Sequence, residues 1–424
     1  MTVPKGWHPS VHRVRPRIST NSRIEVNHGA SASLLVGAAH TIRGRMPIEV
    51  PPPPSPNRPL ALLGGLTPRQ FLRRHWQKKP LLIRAALPGF EPLSRARLLT
   101  LARQGDVESR LVARTARGHW TLEHGPFERA RFPARSRPGW TLLVQGVDLH
   151  DDAAHALLQR FRFVPDARLD DLMVSWASLG GGVGPHFDSY DVFLLQAQGR
   201  RRWRIGRQRD LRLEQGLPLK ILKNFVAEED LVLAPGDMLY LPPLWAHDGV
   251  AEGGDCMTYS IGFQAPRRAM LAAEIGQRLA EVLEDDALYG DSRLEATNRP
   301  ARIPRELQRF TAGAVERLFA RPRAIARSLG ELATDPKPNV VFDEPQTRWR
   351  PGAVVLDRRT RMMYDERSIF INGGCRRVTG ADARLMRRLA NDRRLAAPTV
   401  RTASTAARAL LADWFRAGWL HRHR

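Results

Sequence analysis

The sequence predicts an α+β chain whose core is mainly β. Three observations carry this. Arg201-Arg202-Trp203-Arg204-Ile205 and Met257-Thr258-Tyr259-Ser260-Ile261-Gly262-Phe263 alternate with period two, the mark of half-buried strands. Ala234-Pro235-Gly236-Asp237 is a turn signal that leads into the apolar run Met238-Leu239-Tyr240-Leu241. After Pro266 the spacing changes: Met270-Leu271, Ile275, Leu279 and Val282-Leu283 recur at three and four, the helical period.

In chain order, residues 1–45 are polar, with Glu25 as their only acid and no apolar core of a secretory signal. They are expected to form a disordered extension, or to precede a start at Met46. Pro51 to Pro54 and Pro56 make a stiff linker, so residues 1–57 are set apart from the rest of the chain. Thr67-Pro68 should open a helix, with Thr67 at the cap. Leu81-Leu82-Ile83 reads as a strand, and residues 93–104 and 150–161 as amphipathic helices. Strands dominate from about 171 to 265, with a looser insert from Asp210 to Asp230. Residues 266–335 read as helical. The last segment, 340–424, starts with short apolar runs, turns at Gly373-Gly374, and ends in two helices, with Ser404 capping the second.

Size and composition narrow the function. At 424 residues with 42% hydrophobic content, the chain can bury more than one core. It has no apolar run of 18 residues, so a membrane-spanning helix is not expected. Its two cysteines, Cys256 and Cys375, form no disulfide framework, which suits a reducing cytoplasm. The net charge of +24 favours encounter with polyanions, nucleic acid included. A solvated, arginine-biased surface explains the same number.

The chemistry gathers around Gly180-Gly181-Gly182-Val183-Gly184-Pro185-His186-Phe187-Asp188. Side chains two apart on a strand face the same way, so His186 and Asp188 are candidates for one site. A third member is His247, because His186 and His247 are the only histidines between Ala156 and Leu420. Two histidines and one aspartate leave open positions on a metal, as in non-haem Fe(II) oxygenases. A satisfied core histidine is the alternative. Arg201 shares a face with Trp203 and Ile205, where a guanidinium is costly unless an anion meets it. That anion is a bound carboxylate, held bidentately, or an acid of the protein itself.

These residues resemble a known family. The run Ser175 to Phe263 is similar to the double-stranded β-helix (jelly-roll, cupin-like) of JmjC-type 2-oxoglutarate oxygenases. Within them it most resembles the bacterial ribosomal oxygenases that hydroxylate an arginine of large-subunit ribosomal protein L-sixteen. The resemblance is carried by Gly180 to Phe193, Gly199 to Arg204, Pro235 to Pro243, His247 and Tyr259 to Phe263, in order and spacing. It extends upstream to Phe71-Leu72, His75-Trp76 and Lys78 to Arg84. It implies a JmjC domain over 58–265, a dimerising helical segment over 266–335 and a winged-helix domain over 340–424. It implies that His186, Asp188 and His247 bind Fe(II), and that Arg201 and Ser175 hold 2-oxoglutarate, with O2 as the second co-substrate. Succinate and CO2 are the implied by-products. The implied partners are a ribosomal protein substrate, a second copy of the chain, and ribosomal RNA nearby, all in the cytoplasm.

A cationic substrate side chain needs an acid at the pocket mouth, because burying it unpaired is prohibitive. Asp191 is the expected acid. Tyr190, on the face of His186 and Asp188, is expected to pack the arginine. Two other readings compete: hydroxylation of a different ribosomal residue such as histidine, and a basic winged-helix protein whose barrel is inert. The intact set His186, Asp188, His247 and Arg201 argues against an inert barrel.

Overall fold

The computed structural model describes residues 51–283 and 287–423. The extension expected over residues 1–50 lies outside the described residues. Pro51 to Ser55 carry no helix or strand.

Twelve strands build the first half. They are β1 (Leu81–Ile83), β2 (Ser109–Arg114), β3 (Trp120–His124), β4 (Trp140–Val144), β5 (Leu169–Ala177) and β6 (His186–Phe187). Then come β7 (Val192–Gln198), β8 (Arg201–Gly206), β9 (Glu229–Leu233), β10 (Met238–Leu241), β11 (Ala246–Ala251) and β12 (Cys256–Phe263). Eight form one sheet in the order β1-β10-β7-β12-β5-β4-β2-β3, and four form a second in the order β6-β11-β8-β9. Every pairing is antiparallel. This is the jelly-roll barrel that the family resemblance implies, with one extension. The sheet does not stop near residue 171: β1 to β4 flank it on both sides. Added strands cover edges that would otherwise present unpaired backbone.

Alternation decides what each face meets. On β5, Leu172, Val174 and Trp176 join the main core, and on β12 so do Met257, Tyr259, Ile261 and Phe263. That core packs the outer face of the large sheet against upstream helices through Phe71, Leu98, Leu101 and Leu157. The helix Pro68–Arg74 that brings Phe71 in is closed by a capping box between Thr67 and Gln70. A smaller core of Val192, Leu194, Trp203, Ile205, Leu233, Leu239 and Leu241 fills the barrel between the sheets. At about 1.5–3 kcal/mol per fully buried large side chain, these two cores hold the barrel shut.

Helices Arg268–Glu281, Arg305–Phe319 and Pro322–Thr334 come next. The C-terminal part has its own core, with Val354, Ile369, Met386, Leu411, Trp414 and Leu420 buried. Ser404 caps helix Thr405–Arg416 by accepting from Ala407 N at 3.0 Å. Arg162 ties this part to the barrel. Its guanidinium donates to the carbonyls of Asn391 (2.6 Å) and Ala390 (3.0 Å), the last turn of helix Gly380–Asp392, while Asp166 holds its other edge. A cation there satisfies end carbonyls that the helix leaves free.

Candidate metal centre

The small sheet brings the sequence's two isolated histidines together. His186 on β6 and His247 on β11 are direct cross-strand partners. Their ring centroids are 4.3 Å apart. Asp188 lies two residues after His186, and its Oδ2 is 3.7 Å from His247 Nε2. Ligand atoms of all three lie within 4.8 Å of one another, the one such group of His, Cys, Asp and Glu found among the described residues.

The rings are oriented by their own backbone. His186 Nδ1 lies 2.8 Å from the Gly184 carbonyl and His247 Nδ1 lies 3.0 Å from the Trp245 carbonyl. A carbonyl only accepts, so each Nδ1 carries the proton and each Nε2 keeps its lone pair. Burial, with the neighbouring His186, pushes the His247 imidazole down to about 4. It is therefore neutral at neutral pH, the form that binds metal. Glycine makes room on both sides. A side chain at Gly249 would sit 2.5 Å from the Trp203 ring, and one at Gly182 would meet the Gly249 carbonyl at 2.5 Å.

Arg201 is where the alternation puts it, 4% exposed on the inner face of β8. Its Nη2 is buried without a hydrogen-bond partner, and so is the Trp203 indole N–H. Its Nε points at Cys256 Sγ, 3.5 Å away. No acid of the described residues pairs with it, so the internal salt bridge is not formed. The outward arginines differ: Arg202 bonds Asp230 and Glu252, and Arg204 pairs with Asp248. Ser175 is buried on β5, its Oγ 3.5 Å from the Thr258 carbonyl.

Asp191 is not at the pocket mouth. It is fully buried, and its carboxylate accepts from Tyr240 Oη (2.6 Å) and Gln77 Nε2 (3.0 Å), with Arg168 3.4 Å away. Burial pushes its pKa up against these bonds. It ties the upstream helix region to β10 through these bonds. Tyr190 does reach the site. The residue is partly exposed, and burial of its phenol beside the Asp188 carboxylate raises its pKa.

A second buried acid, Asp171, lies on β5. It shares the interior-facing side of β5 with Met173 and Ser175, since Leu172, Val174 and Trp176 take the core side. Its Oδ2 accepts from Gln145 Nε2 (2.7 Å) and Gly146 N (3.0 Å). Burial and neighbouring Asp170 push its pKa up, and its charge is felt at Tyr190. The insert also lies against the site: Leu222 N donates to the Pro185 carbonyl, and Ile221 packs on Gly184.

With this geometry established, comparison with known proteins is decisive. Residues 156–271 match the JmjC domain and residues 316–421 a ROXA-like winged helix. The Escherichia coli ribosomal protein uL16 3-hydroxylase is 36% identical over 289 residues, 67% of this chain and 76% of that protein. The chain belongs to the JmjC ribosomal oxygenases. A probable ribosomal oxygenase of Haemophilus influenzae is 39% identical over 214 residues, 49% of this oxygenase and 52% of its relative. The solved structure of the Escherichia coli ribosomal oxygenase YcfD with cobalt and 2-oxoglutarate superposes with a TM-score of 0.70 at 30% identity. That match covers 84% of this chain and 98% of YcfD. A second X-ray structure of the Escherichia coli protein gives a TM-score of 0.73 at 31% identity, covering 83% and 97%.

Proposed function

We propose that this oxygenase is an Fe(II)- and 2-oxoglutarate-dependent hydroxylase of an arginine side chain in ribosomal protein uL16. The observation that carries the reading is the pairing of a two-histidine, one-carboxylate cluster with a buried, acid-free arginine inside one barrel. His186, Asp188 and His247 hold the metal, and their donor set suits Fe(II). Arg201 takes the distal carboxylate of 2-oxoglutarate, with Ser175 beside it. The orphaned Nη2 is what a carboxylate oxygen satisfies. Bound iron supplies oxidative decarboxylation of 2-oxoglutarate to succinate and CO2, coupled to hydroxylation of an unactivated C–H by O2.

The chain's own part is positioning and exclusion. Backbone carbonyls of Gly184 and Trp245 fix the two imidazoles. Tyr190 lies beside Asp188 and packs the substrate side chain. Asp171 receives the substrate guanidinium, so that its charge is not buried alone. The apolar lining of Val192, Leu194 and Trp203 keeps water from the reacting centre.

On the same reading, the chain divides into an extension over 1–57, the JmjC domain over 58–265, the helical segment over 266–335 and the winged helix over 340–424. The helical segment dimerises; Met270, Val282, Ile303, Val315 and Phe319 are exposed along it. The oxygenase works in the cytoplasm, where 2-oxoglutarate and nascent ribosomes are found, and its net charge of +24 tolerates ribosomal RNA close by. Among the described residues no helix is long and apolar enough to cross a membrane.

Mass spectrometry of ribosomal proteins from cells with and without the oxygenase tests the whole reading. The expected result is one added oxygen on a single arginine-containing uL16 peptide, present only with the enzyme. An unmodified uL16 overturns the substrate; an oxygen on a histidine peptide reassigns it.

A further inference from the structure

We infer that Gln196 and Cys256 are positioning residues that fix where Arg201 meets the co-substrate, and so set the length of dicarboxylate that the pocket accepts. The inference rests on the reading of Arg201 as the carboxylate-binding residue.

Arg201 projects into the barrel from β8, and its guanidinium has five donors to aim. Among the described residues, Cys256 Sγ is the one side-chain hydrogen-bond partner of that group, at 3.5 Å from Nε. The Trp203 ring, 5.6 Å from the guanidinium carbon, limits its other side. A weak sulfur acceptor restrains a long side chain only if the sulfur itself cannot move. Here it cannot. Cys256 is fully buried on β12, packed with Ala177 and Ala251. The same sulfur receives Gln196 Nε2 at 3.3 Å.

Gln196 is held at both ends. Its Nε2 also donates to the carbonyls of Gln198 (2.7 Å) and Gly199 (3.2 Å), and its Oε1 accepts from Thr258 Oγ1 (3.0 Å). The Thr258 carbonyl in turn faces Ser175 Oγ. One continuous set of bonds therefore runs from Ser175 through Thr258, Gln196 and Cys256 to Arg201.

Backbone irregularities aim this set. The β7–β12 ladder pairs Met257 with Gln198 but Thr258 with Gln196, so Ala197 is an extra residue on β7. Such a bulge re-aims the side chains beside it. Gly199 then turns the chain into β8 at φ +68, and a side chain there would come within 3.1 Å of Cys256 Cα. The distance from the iron ligands to the Arg201 fork is thus set by a rigid polar platform rather than by the arginine's own rotamers. Remove the sulfur and the guanidinium settles deeper, which lengthens the pocket.

The test uses the full chain loaded with Mn(II). Calorimetric titration under argon measures dissociation constants for 2-oxoglutarate and for 2-oxoadipate, which is one methylene longer. Cys256→Ala should weaken 2-oxoglutarate binding about three- to tenfold, the range of one lost hydrogen bond. It should also narrow the preference for 2-oxoglutarate over 2-oxoadipate, with Mn(II) stoichiometry unchanged. Cys256→Ser should recover most of the affinity, because a hydroxyl also accepts Nε–H. Gln196→Met, similar in volume but without the amide, should reproduce Cys256→Ala and serves as the second probe should that variant fold poorly. Unchanged affinity and unchanged preference in a folded Cys256→Ala or Gln196→Met protein overturn the inference. Arg201→Ala separates the two levels. Loss of 2-oxoglutarate binding there, with wild-type binding in the platform variants, sinks the platform alone; wild-type binding in Arg201→Ala sinks the reading of Arg201 as well.

Discussion

His186 and His247 face each other across a single antiparallel rung, with ring centroids 4.3 Å apart and each Nδ1 turned to a carbonyl two residues before it. Each ring is thus held by its own strand and opposed by the other. Two imidazoles held so closely repel as cations but share a metal well. His186→Ala should abolish Fe(II) binding at one ion per chain and with it succinate formation. The fold should survive, because His186 contributes little to the main core. Metal analysis by mass spectrometry, beside circular dichroism, checks this; normal turnover in the variant would refute the assignment.

Arg201 carries the largest expected effect on the co-substrate. Truncating one partner of a buried charge pair costs about 2–5 kcal/mol. Arg201→Ala should therefore weaken 2-oxoglutarate binding by well over tenfold while leaving metal affinity near that of the wild type. Direct titration of 2-oxoglutarate measures it.

Asp171 and Asp191 should part company in kinetics. Asp171→Asn removes the charge proposed to meet the substrate arginine, so the KM for a uL16 peptide should rise strongly while uncoupled 2-oxoglutarate decarboxylation continues. Asp191→Asn should act on stability instead. An amide cannot accept from Tyr240, Gln77 and Arg168 together, and an unmet buried donor costs about 1–3 kcal/mol. Peptide KM measured beside denaturant midpoints distinguishes the two. The reverse pattern would return the substrate role to Asp191.

Asp148 makes stability depend on pH. Full burial, with the charge of Asp171 nearby, pushes its carboxyl up to about 7, although Leu172 N donates to it at 2.8 Å. A raised folded-state value means that the folded state binds the proton more tightly than the unfolded chain, whose carboxyl titrates near 3.8. The protonated form is therefore the stabilising one. That contribution is present below about pH 4, fades as pH rises towards 7, and leaves a constant penalty above. Asp148→Asn keeps the acceptor for Leu172 N and loses the titration. Relative to the variant, the wild type should lose up to about 1.4 kcal/mol per pH unit through that window. Urea melts at pH 4.5, 6 and 8 provide the comparison, and parallel curves would exclude Asp148 as the source.

The metal cluster could be read from the chain because its signals are local or rare: a His-x-Asp pair beside glycines, and one other histidine within reach. Arg201 was legible because strand alternation forces a charge onto an apolar face. Asp191 is expected near the mouth only because it closely follows the iron pair, and nearness in sequence does not fix where a loop side chain points. Residues 188–191 are irregular, between β6 and β7, and the chain there turns Asp191 towards Tyr240 and Gln77. Asp171, proposed to meet the substrate, lies two and four residues before Met173 and Ser175, but Asp170 beside it masks that pattern. Gln196 and Cys256 had none. Their meeting depends on a bulge at Ala197 and on two strands sixty residues apart, and no short-range spacing encodes that.

The Arg162 contact with Ala390 and Asn391 bears on how the enzyme could meet a very large target. Two binding surfaces joined by a floppy tether must search for their second contact, and the effective concentration falls with tether length. Here the barrel grips the end of a helix in the winged-helix part, so no such search takes place. A partner held by the C-terminal module would therefore meet the barrel from a direction that this contact helps to fix.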